Sequence, residues 1–212
     1  MYSVKEVYYT LQGEGAHTGR AAVFLRFAGC NLWTGREQDR HKAVCQFCDT
    51  DFVGTDGPGG DKFAGADELA AAVEQTWLNA VDADQRRYVV CTGGEPLLQL
   101  DESAVKALQN RGFEVGVETN GTQVPPEGLD WICMSPKAGT ELRLRHGNEL
   151  KLVYPQQGAM PELFEDLDFQ HFFLQPMDGP ETAENTAAAV DFCLKNPRWR
   201  LSVQTHKVLG LA

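Results

Sequence analysis

Short, almost continuously apolar segments alternate along this chain with amphipathic helical patterns. Nearly every such segment runs into a glycine or a polar signature. Segments 21–27, 87–91, 113–117, 131–134, 150–153, 171–174 and 200–203 are rich in Val, Phe, Tyr, Leu and Ile. Strands covered on both faces of a parallel sheet read this way. A first strand over 3–9 shows weaker alternation. Helices are expected over 67–80, where Leu69, Val73 and Trp77 share a stripe, and over 96–110, which Asn110-Arg111-Gly112 stops. A third covers 186–195 and ends before Pro197. Strands alternating with helices imply parallel βα units.

Signatures follow the strand ends in turn: Gly29-Cys30-Asn31, Thr92-Gly93-Gly94-Glu95-Pro96, Glu118-Thr119-Asn120-Gly121, Ser135-Pro136-Lys137, Gln175-Pro176-Met177-Asp178 and Gln204-Thr205-His206-Lys207. In a parallel barrel these ends open onto one face, where barrel active sites are built. The chain has 212 residues, too few for a complete eight-unit barrel of about 250. The expectation is therefore an α/β protein with a partial, open (β/α) barrel of about six parallel strands. It forms one domain over 1–212, with an exposed insertion at about 31–44 and a glycine-rich loop at 54–65. A net charge of −11 disfavours nucleic acid and anionic membranes as partners. No run of about 18 apolar residues is present to span a bilayer, and the first residues do not read as a signal peptide. A cytoplasmic location is expected.

Six cysteines in a chain of this kind call for an explanation other than a disulfide framework. Cys91, Cys133 and Cys193 lie in apolar runs and read as core residues. Cys30, Cys45 and Cys48 lie among polar residues, with fourteen residues between the first two and two between the second pair. Three thiolates favour zinc or an iron–sulfur centre. His41 is available as a fourth zinc ligand. A [4Fe–4S] cluster held by three cysteines instead keeps one iron open to an outside ligand.

Cys45-Gln46-Phe47-Cys48, together with Cys30 and with Gly93-Gly94-Glu95-Pro96 after a strand, resembles the radical S-adenosylmethionine superfamily. The first cysteine spacing is longer than the usual three. Leu11-Gln12-Gly13-Glu14-Gly15, the run from Phe24 to Trp33, Cys45–Thr50 and the later signatures are similar, in order, to the 7-carboxy-7-deazaguanine synthase family of queuosine biosynthesis. The resemblance implies a radical SAM core and a lyase. Its reaction converts 6-carboxy-5,6,7,8-tetrahydropterin to 7-carboxy-7-deazaguanine, by a 5′-deoxyadenosyl radical, ring contraction and loss of ammonia. It implies that Cys30, Cys45 and Cys48 ligate the cluster. Phe47, Cys48, Asp49, Gly94, Glu118, Ser135, Pro136, Lys137, Gln175, Pro176, Met177 and Asp178 would line S-adenosylmethionine. Gln12, Gly13, Glu14, Arg26, Thr92, His206 and the Ala212 carboxylate would meet the pterin, and Thr50 would contact Mg²⁺. A homodimer and an external one-electron donor such as a flavodoxin are the implied partners.

Other readings stay open for single residues. Arg26 could be a structural ion pair, Lys137 a solvated loop lysine, Thr50 a turn cap, Gly13 a turn residue, and His206 a strand-end hydrogen-bond partner. For the whole chain, the alternatives are a glycyl-radical activase and a non-catalytic zinc-binding module built on Cys30, His41, Cys45 and Cys48.

Overall fold

The computed structural model describes residues 1–81 and 85–211. Its strands are β1 (Tyr2–Leu11), β2 (Ala21–Phe27), β3 (Asp61–Phe63), β4 (Arg87–Gly93), β5 (Phe113–Thr119), β6 (Trp131–Met134), β7 (His146–Tyr154), β8 (Asp168–Pro176) and β9 (Trp199–Leu201). Its helices are α1 (Ala66–Ala80), α2 (Glu102–Gln109), α3 (Thr182–Lys195) and the short α4 (Thr205–Leu209). The strands form one sheet in the order β3-β1-β2-β4-β5-β6-β7-β8-β9. From β2 through β9 in that order every neighbouring pair is parallel. β1 and β3 add an antiparallel margin. The result is the expected open, mostly parallel α/β sheet, with seven parallel strands among the described residues.

Alternation along the strands sorts the side chains. Val23, Leu25 and Phe27 of β2, Val89 and Cys91 of β4, and Val115 and Val117 of β5 pack outward with Leu69 and Val73 of α1 and Val105 and Leu108 of α2. Leu150 and Leu152 of β7, with Phe172 and Leu174 of β8, form a second outward core with Trp199 and Ala189. The alternate positions face inward, and this parity puts Arg26, Glu118, Cys133, Glu149, Lys151 and Gln175 on the concave face. Of the three expected core cysteines, Cys91 and Cys133 are buried and Cys193 is half-buried.

The structure departs from the sequence expectations at identifiable places. The helix expected over 96–110 is a 3-10 turn, Pro96–Leu98, followed by α2. Asp101 interrupts it by accepting from the Ala104 N–H at 2.9 Å, so an N-cap outweighs the continuous apolar pattern. α3 begins at Thr182, four residues earlier than expected. The 54–65 loop contributes β3, which pairs with Tyr2–Val4. Gln204-Thr205-His206-Lys207, which follows the last strand as expected, forms the entry to α4. Within the 31–44 segment, Glu37–Lys42 is an exposed 3-10 turn.

Candidate active site

The inward side chains and the C-terminal strand ends enclose a cavity of about 440 Å³. Every expected site residue among those described lines it except Pro136. That proline is buried in the wall, where its carbonyl accepts from the Gln156 amide at 3.3 Å. Ala212 lies outside the described residues.

One end of the cavity carries Cys30, Cys45 and Cys48. The Leu32 N–H donates to Cys30 Sγ at 3.4 Å. Arg40 donates to the carbonyls of Gln46 and Cys48 at 2.9 and 3.0 Å and lies over the Trp33 ring, so the insertion braces the cysteine loop from outside. Burial pushes the Cys30 and Cys45 thiols up, and a bound metal centre would hold them as thiolates. Lys137 stands close by. Its ammonium donates to Ser135 O and Oγ at 2.7 Å and lies 5.9 Å from the Phe47 ring centroid. Burial lowers its pKa against the opposing pull of Cys45 and Cys48, so it is not a solvated loop lysine. Among the described residues no three His, Cys, Asp or Glu side chains converge as a single-ion site, and His41 is exposed on the insertion. Three soft thiol donors around one open cavity fit an iron–sulfur cluster better than a four-ligand zinc.

The Gly93-Gly94-Glu95-Pro96 turn is stitched to this end. Glu95 N–H donates to Gly29 O at 3.0 Å. A Cβ on Gly94 would overlap that same carbonyl oxygen and approach Cys30 Cβ to 2.8 Å. Glycine is required by close approach. Glu95 is fully buried and accepts from Leu97 N–H at 3.0 Å, Thr119 Oγ1 at 2.7 Å and Asn120 N–H at 2.8 Å. The Asn120 amide then donates to Asn31 beside Cys30. The Glu95 carboxylate therefore ties the ends of β4 and β5 together, and the Asn120 side chain extends the link to the segment after β2.

The other end is a polar cluster. Gln12 Nε2 donates to Glu118 Oε1 at 2.9 Å, and Gln204 Nε2 donates to Glu14 Oε1 at 2.9 Å. Lys151, 4% exposed, lies 2.5 Å from Glu14 and 3.4 Å from Glu118. Burial would raise Glu14, but the Lys151 ammonium holds it down to about 2. Lys151 itself is held well above its ordinary value despite burial, chiefly by Glu118 and Glu14. Glu118 thus belongs with Gln12 and Glu14. Gly13 has no room for a side chain because the His206 ring packs on it, and Thr205 Oγ1 donates to its carbonyl at 2.9 Å. Arg26 lines the cavity while its Nε donates to Glu6 at 2.7 Å and its NH2 to Tyr8 at 2.9 Å. At the mouth, Lys207 bridges Asp49 at 2.7 Å and Asp178 at 2.6 Å.

Sequence reading missed Lys151, Glu149, Glu6 and Tyr8 as parts of the site. Lys151 sits in a segment read as apolar, and only counting alternate positions along β7 would have separated it from Leu150 and Leu152. Glu6 and Tyr8 are one strand pairing away from Arg26, a neighbourhood set by register.

No protein-family profile matches the chain. It is 66% identical over 210 residues to a 7-carboxy-7-deazaguanine synthase of Bradyrhizobium diazoefficiens, covering 99% of both chains. It is 40% identical over 212 residues to that of Bacteroides thetaiotaomicron, covering 100% of this chain and 99% of the relative. Its fold is similar to the crystal structure of QueE from Escherichia coli, with TM-score 0.70 and 25% identity over 96% of this chain and 93% of the other.

Proposed function

The chain belongs to the 7-carboxy-7-deazaguanine synthase family, and from that premise we propose how its cavity serves the reaction. The protein is a radical S-adenosylmethionine lyase. It converts 6-carboxy-5,6,7,8-tetrahydropterin to 7-carboxy-7-deazaguanine, with ring contraction and loss of ammonia. When bound, the cluster and S-adenosylmethionine supply a carbon-centred radical that removes hydrogen from the substrate; the protein contributes position and electrostatics.

Cys30, Cys45 and Cys48 hold the cluster. Phe47, Asp49, Gly94, Ser135, Lys137, Gln175, Pro176, Met177 and Asp178 line the S-adenosylmethionine side, with Pro136 shaping the wall from behind. Glu118 joins Gln12 and Glu14 opposite, where carboxylates and an amide are suited to the N–H donors of the pterin ring. Thr92, buried at the end of β4, adds a contact. Arg26, oriented by Glu6 and Tyr8, offers its guanidinium to the substrate carboxylate, and His206 closes over Gly13. Thr50 would give Mg²⁺ one hydroxyl, with substrate oxygens and water completing the shell. The neighbouring Asp49 and Asp51 are held by Lys207 and Lys5.

The observation that carries this reading is that three thiols and a carboxylate–amide cluster line one cavity of about 440 Å³, within the range of small-molecule sites. The reading also takes the whole chain as one cytoplasmic domain, an external one-electron donor of flavodoxin type, and a homodimer; Leu194, Val208 and Leu209 offer exposed apolar surface for that contact. Among the described residues no helix is long and apolar enough to cross a membrane. The test is anaerobic incubation with reductant, S-adenosylmethionine, Mg²⁺ and the carboxypterin, followed by mass detection of the deazaguanine. Formation of 5′-deoxyadenosine without deazaguanine would overturn the substrate assignment. Zinc without acid-labile sulfide in the purified protein would overturn the cluster.

A further inference from the structure

Behind the substrate end of the cavity, the concave face gathers more acid than base. Glu149 and Lys151 stand two apart on β7 and so face the same side. Glu14 comes from the loop after β1 and Glu118 from β5. Lys151 Nζ lies 2.5 Å from Glu14 Oε2 and 3.4 Å from Glu118 Oε1. Glu149 accepts from the Ala16 N–H at 2.9 Å and from the Cys133 thiol at 3.5 Å. Three carboxylates therefore stand around one ammonium that is only 4% exposed, where an uncompensated charge is expensive. Burial raises Glu149 against the pull of Lys151, and its contacts are the Ala16 N–H and the Cys133 thiol rather than the ammonium. Glu14 and Glu118 remain, and both take their cation from Lys151.

We propose that Lys151 is the positioning residue of substrate recognition, holding Glu14 and Glu118 together as hydrogen-bond acceptors for the N–H edge of the pterin ring. The inference rests on the proposed function. Its chemistry is that of a carboxyl pair: two adjacent, half-buried carboxylates that lose their shared cation repel each other, and one is driven to take up a proton. A protonated carboxyl presents a donor where the substrate also presents a donor. The Gln12 amide, aimed at Glu118, and the Gln204 amide, aimed at Glu14, fix the carboxyl planes but bring no charge. The other titratable and charged groups facing the cluster are Glu149 on β7, Cys133 on β6, Lys137 beyond it, the Tyr8 and Tyr88 phenols near Glu118, Arg26 on β2, and His206 of α4, whose ring packs on Gly13. Burial pushes Cys133, Tyr8 and Tyr88 upward, so they stay neutral.

The experiment measures carboxypterin affinity by calorimetry on protein loaded with cluster and S-adenosylmethionine but given no reductant, from mildly acidic to mildly alkaline pH. Wild type is expected to bind with a flat profile. K151Q is expected to lose affinity about tenfold per pH unit on the acid side and to recover at alkaline pH. K151R, which keeps the charge, is expected to keep the flat profile. A purely structural role for Lys151 would weaken K151Q equally at every pH, and that result, or an unchanged profile, would overturn the proposal. Should K151Q not fold, the profile of H206Q, which removes the histidine lining the cavity, still decides: an affinity lost with a midpoint at or above 4.5, the ordinary glutamate value, would overturn it. A wild type that binds no carboxypterin would instead reject the function and the role of Lys151 with it.

Discussion

Substituting Glu95 by Gln tests whether the buried carboxylate, rather than the shape of its side chain, holds the cluster end together. Oε1 accepts from Leu97 N–H and Thr119 Oγ1, and Oε2 from Asn120 N–H. A glutamine has one acceptor oxygen, so its best orientation serves Leu97 and Thr119 and turns an NH₂ toward the Asn120 N–H. Leaving that buried donor unmet costs about 1–3 kcal/mol. In a chain of this length 1 kcal/mol moves Tm by about 2–4 °C, so a 2 kcal/mol loss lowers Tm by about 4–8 °C. The damage should also reach the cysteines, because Asn120 carries the hydrogen bond to Asn31 next to Cys30. E95Q is expected to reconstitute with less iron and sulfide per chain than wild type under the same anaerobic conditions. Thermal unfolding by circular dichroism, with iron and sulfide analysis, reads both effects. A Tm unchanged within 1 °C and a wild-type iron content would refute the argument, because no reorientation of a single amide satisfies all three donors.

Gly94→Ala forces a Cβ into the Gly29 carbonyl oxygen and toward Cys30; overpacking of this kind costs about 1–3 kcal/mol, and S-adenosylmethionine affinity, measured by equilibrium dialysis, should drop with it. Cys45→Ala is expected to abolish 5′-deoxyadenosine formation while the chain stays folded; turnover at the wild-type rate would remove Cys45 from the ligand set. Glu14 sits at about 2 in the folded state against an ordinary 4.5, so between those values the unfolded chain binds more protons and stability falls as pH falls. The stability gap between wild type and E14Q should therefore shrink through that window in denaturant titrations at stepped pH. Lys207→Met removes the bridge between Asp49 and Asp178 at the mouth; because exposed pairs contribute about 0–1 kcal/mol, the expected change is faster release of bound S-adenosylmethionine in stopped-flow chase, with Tm nearly unchanged.

Much of this protein is written locally. The apolar runs and their glycine and polar sequels are enough to place parallel strands and to say that their ends carry the chemistry, because strand preference and turn chemistry act over a few residues. The cysteine trio and Gly93-Gly94-Glu95-Pro96 are legible for the same reason. The helix break at Asp101 rests on a single side-chain hydrogen bond, which the apolar run across it does not reveal. What stayed hidden lies on the concave face. Lys151 and Glu149 sit among apolar neighbours on β7, and only closure of the sheet turns one side of that strand toward Glu14 and Glu118, which are 137 and 33 residues from Lys151. Arg26 acquires Glu6 and Tyr8 through the register of β1 against β2, and Glu95 acquires Thr119 and Asn120 through the alignment of β4 with β5. The sequence alone determined which side chains stand at the strand ends. Which of them share a proton, a charge or a hydrogen bond was decided by strand order and register, because those energies depend on separations of a few ångströms that no local pattern encodes.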